Sequence, residues 1–210
     1  MDTARIADLL APYLSAPLSV EQLGGVQAYL ELLIRWNAKT NLTAVRRPKE
    51  MVQRHFGESF FAAWNLLAEV TPQTAIDLGS GAGFPGVPLA IYAPQITVTL
   101  VESHNKKATF LKEVVRSLGL KNVAVIADRG ESLQGKTKAN LVIMRAVEKF
   151  ADSATLAATL LQPEGRLALL IGATQTEEAR RLLPGLYWRD PIAVPGGNAR
   201  VLLVGGARID

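Results

Sequence analysis

Ten consecutive residues constrain this chain more than any others: Asp77-Leu78-Gly79-Ser80-Gly81-Ala82-Gly83-Phe84-Pro85-Gly86 follow a β-branched run and lead into a helical one. Glycine adopts backbone angles that a β-carbon forbids and lets a ligand approach the main chain closely. Four glycines in eight positions exceed what a simple reversal needs, so the segment reads as a strand-to-helix turn that cradles a small molecule. The surrounding pattern agrees. Apolar β-branched runs at 74–78, 97–101, 123–127, 141–144, 166–171 and 200–204 alternate with helical patterns at 87–92, 106–118, 151–161 and 177–183. That alternation predicts an α/β fold with a mostly parallel sheet and helices on both faces. Pro184-Gly185 and Pro195-Gly196-Gly197 read as turns before late strands, with an antiparallel last pair.

Residues 1–70 are read as an N-terminal helical extension packed on a core domain of residues 71–210. Ser19 and Gln22 have capping-box spacing, and Val20, Leu23, Val26, Leu30, Leu33 and Ile34 follow at helical intervals. Pro48, favoured in a first turn, predicts a second helix whose Met51, Val52, Phe56, Phe60, Trp64 and Leu67 face a core. Residues 37–47 between them read as a polar connector. Trp36, Phe56 and Trp64 could stack on bases, but their helical spacing assigns them to packing.

Composition removes several kinds of chemistry. The 210 residues contain no cysteine and only two histidines, His55 and His104. A disulfide framework, a thiolate metal site, a cysteine nucleophile and a multi-histidine metal centre are therefore excluded, and no metal is expected. The 49% hydrophobic and 20% charged shares are those of an ordinary globular chain. No basic leader runs into an apolar stretch, and no apolar run reaches membrane-spanning length. A cytoplasmic protein is expected, and in the absence of a coiled-coil pattern a monomer. The net charge of +4 is too small to imply a polyanionic partner by itself, so local clusters must decide.

Taken as Gly81-x-Gly83-x-x-Gly86, the glycine segment formally fits a dinucleotide fingerprint. Asp77, two positions before the first glycine, and the tighter Gly79-x-Gly81-x-Gly83 spacing instead resemble the first motif of S-adenosylmethionine-dependent methyltransferases. A carboxylate at the strand end suits a ligand carrying ammonium and sulfonium groups and would repel phosphates. An acidic residue closing the second strand, about 20 residues downstream, should accept hydrogen bonds from ribose hydroxyls. Glu102 stands there. Asp128-Arg129-Gly130-Glu131 occupies the end of the third strand, where an adenine would lie. Pyrimidine C5 methylation generally uses a cysteine, and amino-nitrogen methylation commonly uses an Asn/Asp-Pro-Pro-Tyr-like tetrapeptide; both are missing. A ring nitrogen such as guanine N7 remains attractive, because its lone pair attacks without losing a proton and needs orientation more than a base. Basic residues cluster at Arg46, Arg47, Lys49 and Arg54, at Lys106 and Lys107, and at Lys136 and Lys138, compatible with an RNA face.

Together these residues resemble the bacterial ribosomal RNA small-subunit methyltransferase G family, also called glucose-inhibited division protein B. The resemblance runs through Trp36-Asn37-x-x-x-Asn41-Leu42-Thr43-Ala44, Arg54-His55, the segment from Asp77 to Gly86, Glu102-Ser103, Lys106-Lys107-x-x-Phe110-Leu111, Arg129-x-Glu131 and Arg145-Ala146. It implies a Rossmann-like class I fold and methyl transfer from S-adenosylmethionine to N7 of guanine 527 in 16S ribosomal RNA. Its partner would be that RNA or the small ribosomal subunit. Carried over by position, Gly79, Gly81 and Phe84 would line the cofactor site, Glu102 would hold the ribose, and Gly130 and Glu131 would border the adenine. Arg145 would complete the pocket and position the substrate, with no residue serving as a general base. Asn41, Arg47, Arg54, His55, Lys106, Lys107 and Arg129 are the RNA-contact candidates. The chain departs from the family at Glu58, where aspartate is usual, and at Gly130, where alanine is common; the latter should be harmless if only backbone meets the cofactor. On the residues alone, a methyltransferase for another acceptor and a non-catalytic RNA- or dinucleotide-binding module stay open.

Overall fold

The central strands of the sheet are apolar on both sides because each is covered on both sides. The computed structural model describes residues 1–68, 70–145 and 149–207. Five strands run parallel: β1 (Thr74–Leu78), β2 (Thr97–Val101), β3 (Val123–Ile126), β4 (Ala139–Arg145) and β5 (Leu161–Gly172). The short β6 (Tyr187–Trp188) and β7 (Ile192–Ala193) and the longer β8 (Arg200–Gly206) complete an eight-stranded sheet of order β3-β2-β1-β4-β5-β8-β6, with β7 also on β8. β8 runs antiparallel to β5, as the late turns predict. Strand order reverses direction at β1, which pairs with both β2 and β4. In open α/β sheets, the crevice at the carboxyl ends of the strands flanking such a switch point is where ligands bind.

Alternate residues feed opposite cores, as strand geometry requires. Leu141 and Ile143 of β4 join the cluster on one face, Val142 and Met144 that on the other. The first face carries α5 (Gly86–Tyr92), α6 (Asn105–Ser117) and the amino-terminal helices α1 (Thr3–Leu10) and α2 (Val20–Thr40). Further helix there is formed by α3 (Pro48–Met51), a π-helical stretch Val52–Gly57 and α4 (Glu58–Leu67). The second face is thinner, with α7 (Phe150–Thr159) and α8 (Thr176–Leu182). One hydrophobic cluster runs without a break from Ile6 in α1 to Val204 in β8.

The capping box forms as its spacing predicts: Ser19 Oγ accepts from Gln22 N–H at 3.1 Å, and Gln22 Oε1 accepts from Ser19 N–H at 2.9 Å. Val26, Leu30 and Leu33 are buried, but Val20 and Ile34 face solvent, and Tyr29 and Asn37 fill the inward stripe instead. α2 also runs on to Thr40, so only residues 41–47 form the connector. Asn37 fastens it, accepting from Thr43 N–H at 2.9 Å and donating to the Val45 carbonyl at 3.3 Å. Pro48 opens α3 as expected, yet the π-helical stretch interrupts what the periodicity predicts as one regular helix. Phe56 is fully buried, while Trp36 and Trp64 are half-buried; the Trp36 indole donates to Glu113 at 3.0 Å.

Gly57 lies against the ring of Tyr13, with ring carbons 2.7 Å from where a β-carbon would stand. Alanine would normally gain about 1 kcal/mol over glycine inside a helix, whereas overpacking a core costs roughly 1–3 kcal/mol. We expect Gly57→Ala to lower stability by about 1 kcal/mol in urea denaturation. A gain would mean that the Tyr13 ring yields freely.

Candidate functional site

The glycine turn is built by backbone bonds that only positive φ angles allow. Gly79, Gly81 and Gly83 lie at φ 71°, 59° and 90°. Gly79 and Ser80 N–H both donate to the Val101 carbonyl, at 2.9 and 3.0 Å, which locks the turn to the end of β2. Two carboxylates complete it. Asp77, fully buried at the end of β1, accepts from Gly86 N–H at 3.0 Å and so holds the start of α5. Glu102, just past β2, accepts from Gly81 N–H through Oε2 at 2.8 Å and from His104 N–H through Oε1 at 2.7 Å. Each Glu102 oxygen keeps a lone pair for a further donor.

The amino-terminal helices wall this turn. The Tyr29 hydroxyl donates to the Ala82 carbonyl, and burial pushes its ionisation well above the ordinary phenol range, so it stays a donor. The Tyr29 ring stacks on Phe84 at 5.1 Å between centroids, and Phe84 stacks in turn on His55 at 4.9 Å. Phe56 meets Phe84 edge-on at 5.0 Å.

Behind Phe84, five polar side chains form a chain. Arg145 Nη2 lies 3.0 Å from His55 Nδ1 and 3.5 Å from Glu58 Oε2. Glu58 Oε1 accepts from Arg200 Nε at 3.0 Å, and His55 Nε2 is 2.8 Å from Thr43 Oγ1. Burial first, then the charges of Arg145, Arg54 and Arg200, push His55 down to about 3, so the imidazole is neutral. A guanidinium can only donate. His55 Nδ1 therefore accepts, Nε2 carries the proton, and Thr43 Oγ1 receives it. Because Thr43 Oγ1 also accepts from Val45 N–H at 3.1 Å, its own proton is left to donate elsewhere. Burial also lowers the Arg145 guanidinium, against the pull of Glu58. Among the described residues, neither Arg145 Nη1 nor Asp77 Oδ1, both buried, has a hydrogen-bond partner.

Two adjoining hollows open at this edge. One, of about 520 Å³, is lined by Thr43, His55, Gly81, Phe84, Glu102 and Arg145 among others. The other, of about 290 Å³, is lined by Asp128, Arg129, Gly130 and Glu131, and both share Gly79, Ser103 and Ser153. All the cofactor candidates named from the sequence thus line one of two neighbouring hollows. Of the RNA candidates, His55 and Lys107 line the first and Arg129 the second; Asn41, Arg47, Arg54 and Lys106 line neither. His55 is a buried wall residue, while Asn41, Arg47, Arg54, Lys106 and Arg129 are exposed. Ala146 of the Arg145-Ala146 motif lies outside the described residues. At Gly130 a β-carbon would stand 2.5 Å from Leu78 Cδ1 and 2.9 Å from Leu156 Cδ2, so alanine there requires both leucines to shift. A larger hollow of about 710 Å³ at the opposite edge, around Gln22, Pro94 and Asn122, holds none of the candidate residues.

Sequence reasoning gave no role to Tyr29, Thr43, Glu58 or Arg200. Glu58 carried a usable signal: a lone carboxylate between Phe56 and Phe60 must be buried with a partner. Nothing local marks Arg200 as that partner, 142 residues away.

Comparison with known proteins supplies independent findings. The family model described as rRNA small subunit methyltransferase G matches residues 22–183. The ribosomal RNA small subunit methyltransferase G of Xylella fastidiosa (strain M23) is 47% identical over 161 residues, 77% of this chain and 73% of that protein. The protein of that name from Stenotrophomonas maltophilia (strain K279a) is 41% identical over 182 residues, 85% of this chain and 84% of its own. Among solved structures, ribosomal protein L11 methylase from Lactobacillus delbrueckii subsp. bulgaricus has a TM-score of 0.61 at 13% identity, over 75% of this chain and 80% of that one. A mutant of MtNAS in complex with S-adenosylmethionine also has a TM-score of 0.61, at 14% identity over 98% of this chain and 78% of that one. These two likenesses establish the class I methyltransferase fold.

Burial pushes Asp77 up to about 7, against the hydrogen bond from Gly86, whereas its ordinary value is 3.8. A carboxyl raised on folding contributes stability that is fully present below its unfolded value and lost as pH climbs through the folded one. His55 acts oppositely, its contribution present above 6.5 and lost as pH falls toward about 3. We expect Asp77→Asn to remove the Asp77 part, so that variant stability gains on wild type by about 1.4 kcal/mol per pH unit between about pH 5 and 7. Urea denaturation of both proteins across that range measures it; parallel profiles would return Asp77 to the ordinary carboxyl range.

Proposed function

We infer the reaction from family and site together: the chain belongs to the rRNA small subunit methyltransferase G family, and it methylates a guanine of 16S ribosomal RNA with S-adenosylmethionine as donor. The finer reading, which is ours, places the methyl on N7 of guanine 527. The observation that carries the choice of methyl donor is the Glu102 carboxylate, set by two backbone N–H groups in the wall of the first hollow, next to Ser103, which both hollows share.

The residues fit the cofactor. Gly81 borders open space, with only the Gly79 carbonyl, at 3.9 Å, near the position of a β-carbon. Glu102 has lone pairs for two ribose hydroxyls and lines the hollow with a carboxylate that suits a ligand carrying an ammonium and a sulfonium. The hollow lined by Gly130 and Glu131 suits an adenine. When bound, S-adenosylmethionine supplies an electrophilic methyl on sulfur.

Everything else is orientation. Guanine N7 presents a lone pair and releases no proton on methylation, so no side chain need act as a base. The stacked Tyr29, Phe84 and His55 rings give a dry, rigid wall. Arg145 Nη1 and the Thr43 hydroxyl are donors suited to the O6 edge of a guanine or to its phosphate. On this reading Arg145 positions the base, and Lys107 and Arg129 at the rim, with Arg47, Arg54, Lys106 and Asn41 farther out, meet the RNA backbone. Such an enzyme works in the cytoplasm beside its substrate. Among the described residues, no helix is long and apolar enough to cross a membrane.

Labelled methyl transfer to small ribosomal subunits that lack the modification tests the reading. Label recovered as 7-methylguanine at one site supports it, and cofactor binding with label on another acceptor overturns it. Glu102→Ala should weaken S-adenosylmethionine binding by about 1–3 kcal/mol in calorimetric titration, from lost charge-assisted hydrogen bonds. Unchanged affinity would remove Glu102 from the site.

A further inference from the structure

Glu58, Arg145 and Arg200 come from three elements, the first turn of α4 and the facing ends of β4 and β8, and meet at one buried carboxylate. The Glu58 side chain is 2% exposed, Arg145 11% and Arg200 26%. Such clusters are a weak source of stability, because desolvating the charges offsets their attraction, and apolar replacements often serve as well. A structural role alone explains their presence poorly.

The geometry of Arg145 suggests what they do. One of its nitrogens, Nη2, faces both Glu58 and His55, while Nη1 is buried with no hydrogen-bond partner among the described residues, and Arg145 itself lines the hollow. Glu58 is itself held from the far side by Arg200 through Nε and Nη2. The segment that delivers Arg200 contains two non-glycine residues in the left-handed region, Asn198 at φ 44° and Ala199 at φ 64°. Its place is fixed by Ala173 N–H donating to the Ala199 carbonyl at 2.7 Å. Strained backbone of that kind persists where the surroundings over-determine it.

We propose that Glu58 and Arg200 are positioning residues for methyl transfer: Arg200 clamps Glu58, and Glu58 fixes the Arg145 guanidinium in the wall of the hollow that takes the acceptor guanine. This rests on the reading of the site given above. The arrangement serves the chemistry in two ways. It removes the rotamer freedom of a long side chain before the base arrives. It also sets a carboxylate behind the arginine, so that the positive charge appearing on the methylated purine meets a compensated pair rather than a bare cation.

The test uses the intact protein and small subunits lacking the modification. Arg200→Ala is the principal variant, because it removes neither partner of the Glu58–Arg145 pair. It should bind S-adenosylmethionine within about twofold of wild type yet turn over about tenfold more slowly, with KM for the subunit little changed. Arg200→Lys should recover most of the rate. Glu58→Gln should lose turnover on the order of a hundredfold, partly restored in Glu58→Asp.

His55 supplies a readout that a merely structural role would not move. The chain has two histidines, so 15N-histidine spectra report the His55 Nδ1 that accepts from Arg145. Its signal should shift in Arg200→Ala and return in Arg200→Lys. A folded Arg200→Ala protein with wild-type turnover overturns the proposal, as does a rate loss that matches the unfolded fraction while the His55 signal stays still. A shifted signal with full activity also overturns it, since Arg145 would then be moved without consequence. Should Glu58→Gln fail to fold, the Arg200 pair decides alone. Wild type that binds S-adenosylmethionine but transfers no methyl to RNA would bring down the underlying reading as well, and this shows before any variant is compared.

Discussion

The Glu102 carboxylate is the hinge of the arrangement. A glycine-rich turn with three left-handed residues has many ways to collapse, and glycine gives up more conformational freedom than other residues when ordered. Glu102 offsets that by joining Gly81 N–H on one side to His104 N–H on the other, while the Val101 carbonyl before it takes Gly79 and Ser80. The end of β2 thereby dictates the shape of the loop leaving β1. On the proposed function the same carboxylate meets the ribose, so forming the loop and forming the site are one event. The turn is a pocket before any ligand arrives, and preorganisation of this kind lowers the cost of binding.

The amino-terminal helices supply what the parallel sheet lacks, a wall over the carboxyl edge. Tyr29 from α2 and His55 and Phe56 from the π-helical stretch converge on Phe84, His55 also meets Arg145, and Thr43 from the connector holds His55. The wall is polar inside but finely matched. His55 is kept neutral, so it can accept from Arg145 instead of repelling it, and Thr43 stands as the last acceptor in the line. Desolvation disfavours the charged form of both His55 and Asp77, and in the region where their titrations overlap their effects on stability oppose each other.

Most of the fold was legible because it rests on periodicity and glycine chemistry, both local properties. The strands, the helices of the sheet domain, the Ser19 cap and the Pro48 start all follow from spacing. The inward stripe of α2 was misread in part, since Tyr29 and Asn37 are amphipathic or polar and their burial depends on partners, Ala82, Thr43 and Val45, that pattern cannot show. The π-helical stretch was invisible for the same reason: no residue type demands it. At the site, the motif residues that line the two hollows could be named. Glu58 and Arg200, which line neither and reach Arg145 only through side-chain contacts, could not. Glu58 was noticed only as a spacing with the wrong acid, and Arg200 was read only as the start of a strand.

The arginines show why counting charge says little about an RNA surface. Arg46 donates to the Asn37 carbonyl at 3.2 Å and to Asn41 Oδ1 at 2.7 Å, so it braces the connector. Arg54 pairs with Glu50 at 3.3 Å across one helical turn, but the two side chains are 45% and 44% exposed, a pairing weak enough in water for a phosphate to displace. Arg145 and Arg200 share Glu58. Among the described residues, the side chains of Arg47, Lys106, Lys107 and Arg129 make no ion pair, and Lys107 and Arg129 reach the two hollows. A phosphate competes poorly for a cation already paired and desolvated, but well for one that is exposed and loses only loosely held counterions. On the proposed function the cations divide by what surrounds them: the buried ones at Glu58 would set the geometry of a single base, and the exposed ones would meet the strand that carries it, so that recognition need not depend on a net charge larger than +4.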